Sequence, residues 1–159
     1  MNRAECHIDG VIIKQLEKYT DSRGWLAELF RMDEIDADEF PQMAYVSLTK
    51  PGISRGPHEH REQTDYLCFT GQSRFRIYLW DNRPKSATYK RHCRFETEEG
   101  EIFAVIIPPG IVHAYKNIGA VDGFIINAPN RLYAGPGKKN EVDEIRHEDN
   151  PDSEFKIED

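Results

Sequence analysis

The sequence is poor in the features that mark secreted, membrane-bound and nucleic-acid-binding proteins. It has only three cysteines with no CxxC pair, so we expect reduced thiols and a cytoplasmic protein; they are Cys6, Cys68 and Cys93. Its N-terminus lacks the apolar stretch of a signal peptide, and no apolar run reaches the ~20 residues of a membrane span. The formal net charge of −7 disfavours nucleic acid or an anionic membrane as a partner.

The composition is that of a soluble globular chain. With 159 residues, 38% hydrophobic and 31% charged, the chain is long enough to bury one core without disulfides or metals. No repeat or linker divides it. We therefore predict a single domain over residues 1–159, with an acidic and partly irregular C-terminal segment from about residue 138.

Short alternating segments separated by turn residues dominate the chain. Residues 74–80 alternate most clearly, with Phe75, Ile77 and Leu79 on one face. Acidic residues in a first turn predict one short helix at 33–40. Strands are predicted at 11–13, 44–50, 65–70, 74–80, 87–96, 102–107, 113–118 and 123–127, with a strand-like end at 155–157. Many short strands with one or two short helices indicate an all-β jelly-roll sandwich or barrel.

Two segments half the chain apart bring histidines next to turn residues. The first, RGPHEH, ends in His58 and His60, whose i, i+2 spacing places both side chains on one face of a strand. The second, PPGIVH, ends in His113, with Asn117 four residues on. A fold that joins these strands would hold three imidazoles in one concave place, where we expect the chemistry.

Four motifs in order resemble those of the dTDP-4-dehydrorhamnose 3,5-epimerases and their relatives, nucleotide-sugar enzymes built on the cupin jelly roll. The motifs are DSRGWLAE at 21–28, ISRGPH at 53–58, IPPGIVHAY at 107–115 and IRHED at 145–149. The resemblance covers residues 10–157. It implies a cupin fold and an isomerase acting on a dTDP-4-keto-6-deoxy sugar in deoxysugar or polysaccharide biosynthesis.

The resemblance also assigns roles. His58 would be the general base that removes the proton α to the C4 ketone, with Asp149 orienting it, and Tyr133 would return a proton on the opposite face. Imidazole titrates near neutrality and a phenol is a suitable acid toward an enolate. Arg55 would bind the diphosphate, and His60 and His113 would line the substrate pocket. No cofactor is implied.

The resemblance further implies a homodimer. In it, Arg23 and Glu28 contact the nucleotide bound by the neighbouring subunit. We expect the N-terminal strands to be exchanged between subunits, because the apolar residues Val11, Ile12 and Ile13 need a surface to pack against and the partner's sheet would provide one.

Two departures from the family pattern leave a second reading open. Asp65 stands where the family has a lysine that stabilises the enolate oxygen, and Glu59 with His60 replaces an aromatic-glutamine pair. His58, His60 and Asp65 follow metal-cupin spacing, and His113 fits its second motif. These four would bind Zn, Ni, Mn or Fe in a metal-dependent cupin enzyme. A third reading is a sugar-binding cupin without catalysis.

Overall fold

Two five-stranded antiparallel sheets and one hairpin make up the computed structural model, which describes residues 5–158. The strands are β1 (Ile12–Gln15), β2 (Tyr19–Asp21), β3 (Gly24–Leu26), β4 (Tyr45–Thr49), β5 (Ser54–Glu59), β6 (Asp65–Phe69), β7 (Phe75–Asp81), β8 (His92–Glu96), β9 (Phe103–Ile107), β10 (Ile111–Asn117), β11 (Gly123–Asn127) and β12 (Ile145–Arg146). The first sheet has the order β1-β9-β6-β11-β4 and the second β12-β5-β10-β7-β8, while β2 pairs with β3. Short 3-10 turns lie at Met32–Glu34, Pro136–Lys138 and His147–Asp149.

One apolar core lies between the two sheets. The predicted face of β7 (Phe75, Ile77 and Leu79) is fully buried there, against Phe69 and Phe103 of the facing sheet. The rings of Phe69 and Phe103 stack with centroids 4.8 Å apart. Because both sheets contribute to the same core, the predicted all-β jelly roll is confirmed.

The outer face of β7 is covered by the end of the chain. The hydroxyl of Tyr78 donates to the carbonyl oxygen of Glu158 over 2.5 Å, and the ring of Phe155 packs edge-on against Trp80. No strand forms at 155–157, where a strand-like end was predicted. This segment therefore packs by side chains and not by a sheet ladder.

Two predicted elements differ in the structure. The helix predicted at 33–40 is wrong, since only the 3-10 turn Met32–Glu34 forms there. Its flanking residues Arg31 and Ile35 have extended backbone, which lets Phe30 and Ile35 pack on the outer face of the first sheet. The strand predicted at 87–96 begins only at His92.

The N-terminal segment packs against the first sheet through β1 and against β8 through Cys6. The strand β1 pairs with β9 from Ile12↔Ile106 to Gln15↔Phe103, so it forms one edge of the first sheet. Cys6 lies beside β8 and forms a disulfide with Cys93, whereas Cys68 is a buried free thiol. The expectation of three reduced cysteines is therefore wrong for two of them, because a contact spanning 87 residues is invisible in local spacing. No helix in residues 5–158 has the length and apolar character needed to cross a bilayer.

Candidate active site

The strands β5 and β10 bring the two histidine segments together. His58 and His113 are direct partners in the antiparallel ladder, and the register shifts just after them, between His113 and Tyr115. Gly56 has φ +79°, and a Cβ there would lie 2.5 Å from the carbonyl oxygen of His113. Glycine at this position is therefore what allows β5 to approach β10 so closely.

Three imidazole rings form a tight cluster on this surface. The ring centroids of His58 and His113 are 4.5 Å apart, and His60 lies 5.9 Å from the first and 6.0 Å from the second. The structure thus brings together the three histidines that the sequence analysis singled out. His113 is buried, while His58 and His60 are partly exposed.

Asp65, at the start of β6 in the facing sheet, contacts the histidine cluster. Its Oδ2 lies 3.1 Å from His113 Nε2 and 3.3 Å from His60 Nε2. Its Oδ1 accepts hydrogen bonds from Gln63 Nε2 at 2.7 Å and Asn127 Nδ2 at 2.9 Å. Asp65 is only 2% exposed, so this carboxylate is buried between two hydrogen-bond donors and two imidazole rings.

Backbone carbonyls orient two of the rings. His60 Nδ1–H donates to the carbonyl oxygen of Asp143, and His113 Nδ1–H donates to that of Ile111. Both rings therefore turn Nε2 toward Asp65. The space between each Nε2 and the Asp65 carboxylate suits either a proton or a metal ion.

The environment separates the protonation states of these groups. Burial would lower the pKa of His60, but the hydrogen bond and negative charge of Asp65 raise it to about 9. Burial would raise the pKa of Asp65, but hydrogen bonds from His113 and His60 hold it well below its usual range. Burial lowers the pKa of His58 to about 2, and the charge of His113 adds to the effect. At neutral pH His58 is therefore a neutral imidazole able to accept a proton.

Two carboxylates face His58 from the C-terminal part of the chain. Glu144 Oε1 and Glu148 Oε1 each lie 3.7 Å from His58 Nδ1. Both side chains are largely buried, at 22% and 21% exposure. They stand where a cation forming on His58 would be stabilised.

The structure does not bring Asp149 to His58, contrary to its predicted orienting role. Asp149 Oδ2 pairs with Arg146 Nε at 3.0 Å, and its side chain is 67% exposed. Successive side chains of a 3-10 turn point about 120° apart. Glu148 therefore faces His58, and its neighbour Asp149 faces solvent.

Residues 140–149, here called the C-terminal strap, pair with β5 through β12 and are also tied to the barrel by two side chains. The carboxylate of Asp143 accepts the backbone N–H groups of residues 61–63 at 2.9–3.0 Å. Nε2 of His147 lies 2.8 Å from Oε1 of Glu59, whose side chain is buried. The acidic segment predicted to be irregular thus forms one wall of the site.

A cavity of about 930 Å³ opens above the histidine cluster. Its walls carry three tyrosines, Tyr45, Tyr115 and Tyr133. Four basic residues line it together with six acidic ones, namely Arg55, Arg131, Lys138 and Arg146 with Glu62, Asp65, Glu141, Asp143, Glu144 and Glu148. A volume of this size suits a small molecule, and the arginines can bind an anionic group of such a molecule.

The remaining predicted residues divide into two groups. Arg55 and Tyr133 line the cavity; Arg55 Nε donates to Thr49 Oγ1 at 3.1 Å, and Tyr133 is 54% exposed. Arg23 and Glu28 lie outside the cavity of their own chain. Arg23 pairs with Asp21 in the β2–β3 turn, and Glu28 with Arg31.

Sequence reasoning missed several residues of this site. Glu144 and Glu148 were hidden in a segment taken as a solvated acidic tail, although the matched IRHED motif contains Glu148. Asn127 had a usable signal, because it is polar at an inward position of β11, on the same face as Ile125. Tyr45 had none beyond its place at the start of a predicted strand.

Comparison with known proteins identifies the family to which the chain belongs. The family model described as dTDP-4-dehydrorhamnose 3,5-epimerase matches residues 5–136. The probable low-salt glycan biosynthesis epimerase Agl13 of Haloferax volcanii is 34% identical over 129 residues, which cover 80% of this chain and 81% of that protein. The chain belongs to the dTDP-4-dehydrorhamnose 3,5-epimerase family.

Further proteins are similar to this chain in sequence or in fold. The spore coat polysaccharide biosynthesis protein SpsL of Bacillus subtilis is 35% identical over 120 residues, covering 75% of this chain and 78% of SpsL. A crystal structure of a dTDP sugar isomerase from Desulfovibrio desulfuricans superposes with a TM-score of 0.78 and 18% identity, over 94% of this chain and 91% of that one. The crystal structure of RmlC from Legionella pneumophila in complex with dTDP-4-keto-L-rhamnose superposes with a TM-score of 0.73 and 18% identity. The match covers 89% of this chain and 74% of that one. These structures establish the shared cupin fold.

Proposed function

We propose that this protein is an isomerase that epimerises a dTDP-linked 4-keto-6-deoxy sugar by removing a proton α to the C4 ketone. The observation that carries the proposal is the position of His58 in the cavity wall, with the carboxylates of Glu144 and Glu148 each 3.7 Å from its Nδ1. An imidazole is a suitable general base, and nearby carboxylates stabilise the imidazolium that forms when it takes a proton from carbon.

The reaction needs a base, a donor for the enolate oxygen and an acid. His58 takes the proton from C3 or C5, and the electron pair of the C–H bond moves toward the C4 oxygen. The imidazolium formed is stabilised by Glu144 and Glu148, each 3.7 Å from Nδ1. Tyr133, on the wall of the same cavity, returns a proton to the opposite face. Such proton transfers require no redox group, so we propose that the enzyme uses no cofactor.

Basic residues would hold the diphosphate of the substrate. Arg55 and Arg131 lie in the cavity wall, and Arg55 is held to β4 because its side chain donates to Thr49 Oγ1 and to the carbonyl oxygen of Leu48. Guanidinium groups pair well with phosphate oxygens. We propose that the enzyme acts in the cytoplasm.

A proton-exchange experiment tests this function. Incubation with dTDP-4-keto-6-deoxyglucose in deuterium oxide should introduce deuterium at C3, C5 or both, detected by mass spectrometry and NMR. His58→Asn should abolish the exchange while dTDP still binds by calorimetry. No exchange with any nucleotide-linked 4-keto sugar would refute the enzyme, and retained dTDP binding would then favour a sugar-binding cupin.

We propose that the enzyme works as a homodimer in which Arg23 and Glu28 reach the partner's cavity. Support comes from the β2–β3 hairpin, whose apolar residues Trp25 and Leu26 are 53% and 60% exposed. Mixing inactive His58→Ala and Arg23→Ala subunits should restore activity, because one hybrid site keeps both residues. A monomer by light scattering, or no restoration in proven hybrid dimers, contradicts shared sites.

A metal-dependent cupin enzyme is the second candidate. One donor atom from each of His58, His60, Asp65 and His113 lies within 4.8 Å of the others. The Nδ1–H groups of His60 and His113 are fixed by carbonyls, as in many metal sites, so the residues fit a divalent ion. A bound metal would supply a Lewis acid that polarises a carbonyl group.

Metal analysis decides this alternative. Protein purified without chelators should contain about one equivalent of metal, and His60→Ala should lose it. His92→Ala, at an exposed histidine of β8, is the matched control and should keep it. Substoichiometric metal that is unaffected by His60→Ala rules the candidate out.

A further inference from the structure

The hydroxyl group of Tyr45 is anchored at the edge of the histidine cluster. Tyr45 opens β4 and is the direct ladder partner of Asn127 on β11. Its Oη accepts a hydrogen bond from Asn127 Nδ2 at 2.9 Å, and its side chain lines the cavity.

The orientation of Asn127 is set by its other contacts. Its Oδ1 accepts the backbone N–H of Tyr66 at 3.1 Å, which identifies the nitrogen of the amide. Its two N–H groups then go to Asp65 Oδ1 and Tyr45 Oη, both at 2.9 Å. Asn127 therefore donates to Tyr45 and cannot accept from it.

The proton of Tyr45 must consequently point elsewhere. Within residues 5–158 its hydroxyl has no hydrogen bond other than the one it accepts from Asn127. A phenolic oxygen carries one proton and can donate it once. The free O–H is thus available to a molecule in the cavity.

Other polar groups of the cluster are already committed. The Nδ1 atoms of His60 and His113 bond to backbone carbonyl oxygens, the Nε2 atoms face Asp65 at 3.3 and 3.1 Å, and Asp65 is an anion. His58 is the base. An oxygen that gains negative charge beside this cluster would find in Tyr45 a donor held in place by a buried network.

We propose that Tyr45 donates a hydrogen bond to the C4 oxygen of the substrate as it becomes an enolate. The proposal rests on the function proposed above. In the step, His58 takes the α proton, the C–H electron pair forms the C=C bond, and the carbonyl π electrons move onto oxygen. Tyr45 keeps its proton and stabilises that charge, and the electrons return when the carbon is reprotonated. Tyr45 would thus do the work that the family resemblance gives to a lysine absent here.

The environment of Tyr45 suits this role. Burial and the negative charge of Asp65 raise its pKa to about 12, so it stays protonated throughout the physiological range. A neutral donor also avoids placing a further cation beside His60.

Tyr45→Phe tests the proposal, since it removes only the hydroxyl. Deuterium exchange into dTDP-4-keto-6-deoxyglucose should fall about 100-fold, the loss typical of one oxyanion donor. The affinity for dTDP should stay within twofold. Tyr89→Phe, at an exposed tyrosine outside this cavity, is the matched control and should exchange at the wild-type rate.

Three outcomes overturn the proposal in distinguishable ways. Exchange by Tyr45→Phe above half the wild-type rate shows that no catalytic hydrogen bond is lost, while the epimerase function stands. Reduced exchange with shifted NMR signals of His58 or His60 shows that Tyr45 acts only by positioning the cluster through Asn127. No exchange by the wild-type protein removes the proposed function and this inference with it.

Discussion

Adjacent residues have different surroundings in the turn that follows β12. Glu148 faces His58 at 3.7 Å, whereas Asp149 pairs with Arg146 on the exposed side. One position along the chain thus separates a group able to stabilise a charged base from an ordinary surface carboxylate. The family motif located this turn in the sequence, but only the backbone geometry decides which side chain points inward.

Neutralising each carboxylate separates these roles. Glu148→Gln should lower deuterium exchange by tenfold or more, because the imidazolium formed on His58 loses a nearby anion. Asp149→Asn should stay within twofold, since its contact is a surface ion pair. Exchange rates on dTDP-4-keto-6-deoxyglucose provide the comparison, and a larger loss for Asp149→Asn would restore that residue to the site.

Gly56 offers a residue-scale test of how the histidines are brought together. Gly52 and Gly56 both have positive φ, but a Cβ on Gly52 meets nothing within 4 Å, while one on Gly56 meets the carbonyl oxygen of His113. Gly52→Ala should cost about 1–2 kcal/mol of unfolding free energy from the backbone conformation alone. Gly56→Ala should cost about 1–3 kcal/mol more, through the clash. Equal losses in urea titrations would mean that β5 relaxes away from β10 at little cost.

At the scale of elements, the C-terminal strap is the feature with the largest gap between sequence and structure. It is acidic and lacks apolar periodicity, so nothing local predicts order. Its order comes from contacts made across about 80 residues of chain, such as those of Asp143 with residues 61–63. Distant contacts of this kind leave no periodic trace in the sequence.

Removing the Asp143 carboxylate should loosen this anchor. In Asp143→Ala, the amides of residues 61–63 lose their acceptor and should exchange with deuterium at least about tenfold faster, a loss of roughly 1.5–3 kcal/mol for a charged hydrogen bond. Amides of Asp65–Phe69 should keep their protection because β6 lies inside a sheet. Hydrogen exchange with mass spectrometry measures both, with Asp152→Ala as the control. Unchanged exchange at 61–63 would show that the strap is held by other contacts.

Strands were predictable where burial imposes a pattern. The alternation of Phe75, Ile77 and Leu79 identified β7, and the apolar run at 102–107 identified β9. The helix predicted at 33–40 failed because its acids suit a helix start, while the tertiary packing of Phe30 and Ile35 requires extended chain. Local propensity was overridden there by the sheet that these residues cover.

On the scale of the whole molecule, the site is assembled from β4, β5, β6, β10, β11 and the C-terminal strap. Motif spacing predicted three histidines and Asp65, since turn residues and strand periodicity place them. Tyr45 and Glu144 could not be placed because they reach the site only through the closure of the barrel. The side chains that orient and support a site are therefore harder to read from one sequence than those with a motif.

Acid should destabilise the whole domain through a carboxylate remote from the cavity floor. Burial would raise the pKa of Asp81, but hydrogen bonds from Arg83, Ser86 and Thr88 hold it far below its ordinary value. A depressed carboxyl pKa adds stability above the unfolded-state pKa near 3.9, and this stability is lost as the pH falls below it. In urea unfolding, the free energy of unfolding should be lower at pH 3 than at pH 7. In Asp81→Asn this difference should be smaller by about 1 kcal/mol or more.

The Asp81 experiment has a matched control in the exposed Asp152. Asp152→Asn should leave both the stability at pH 7 and the acid-induced drop within about 0.5 kcal/mol of the wild type. An acid-induced drop as large in Asp81→Asn as in the wild type would assign the loss to other carboxylates.

The position of the strap near the end of the chain sets an order of events during synthesis. The ribosome delivers β5, β6 and β10, with His58, His60, Asp65 and His113, before residues 140–149 emerge. A nascent barrel can thus bring the histidine cluster together while one wall of the cavity is still missing. The cluster and the carboxylates that face His58 are acquired at different times. They are also encoded in separate stretches, so substitutions in the strap can change the surroundings of His58 without changing the strands that carry the histidines.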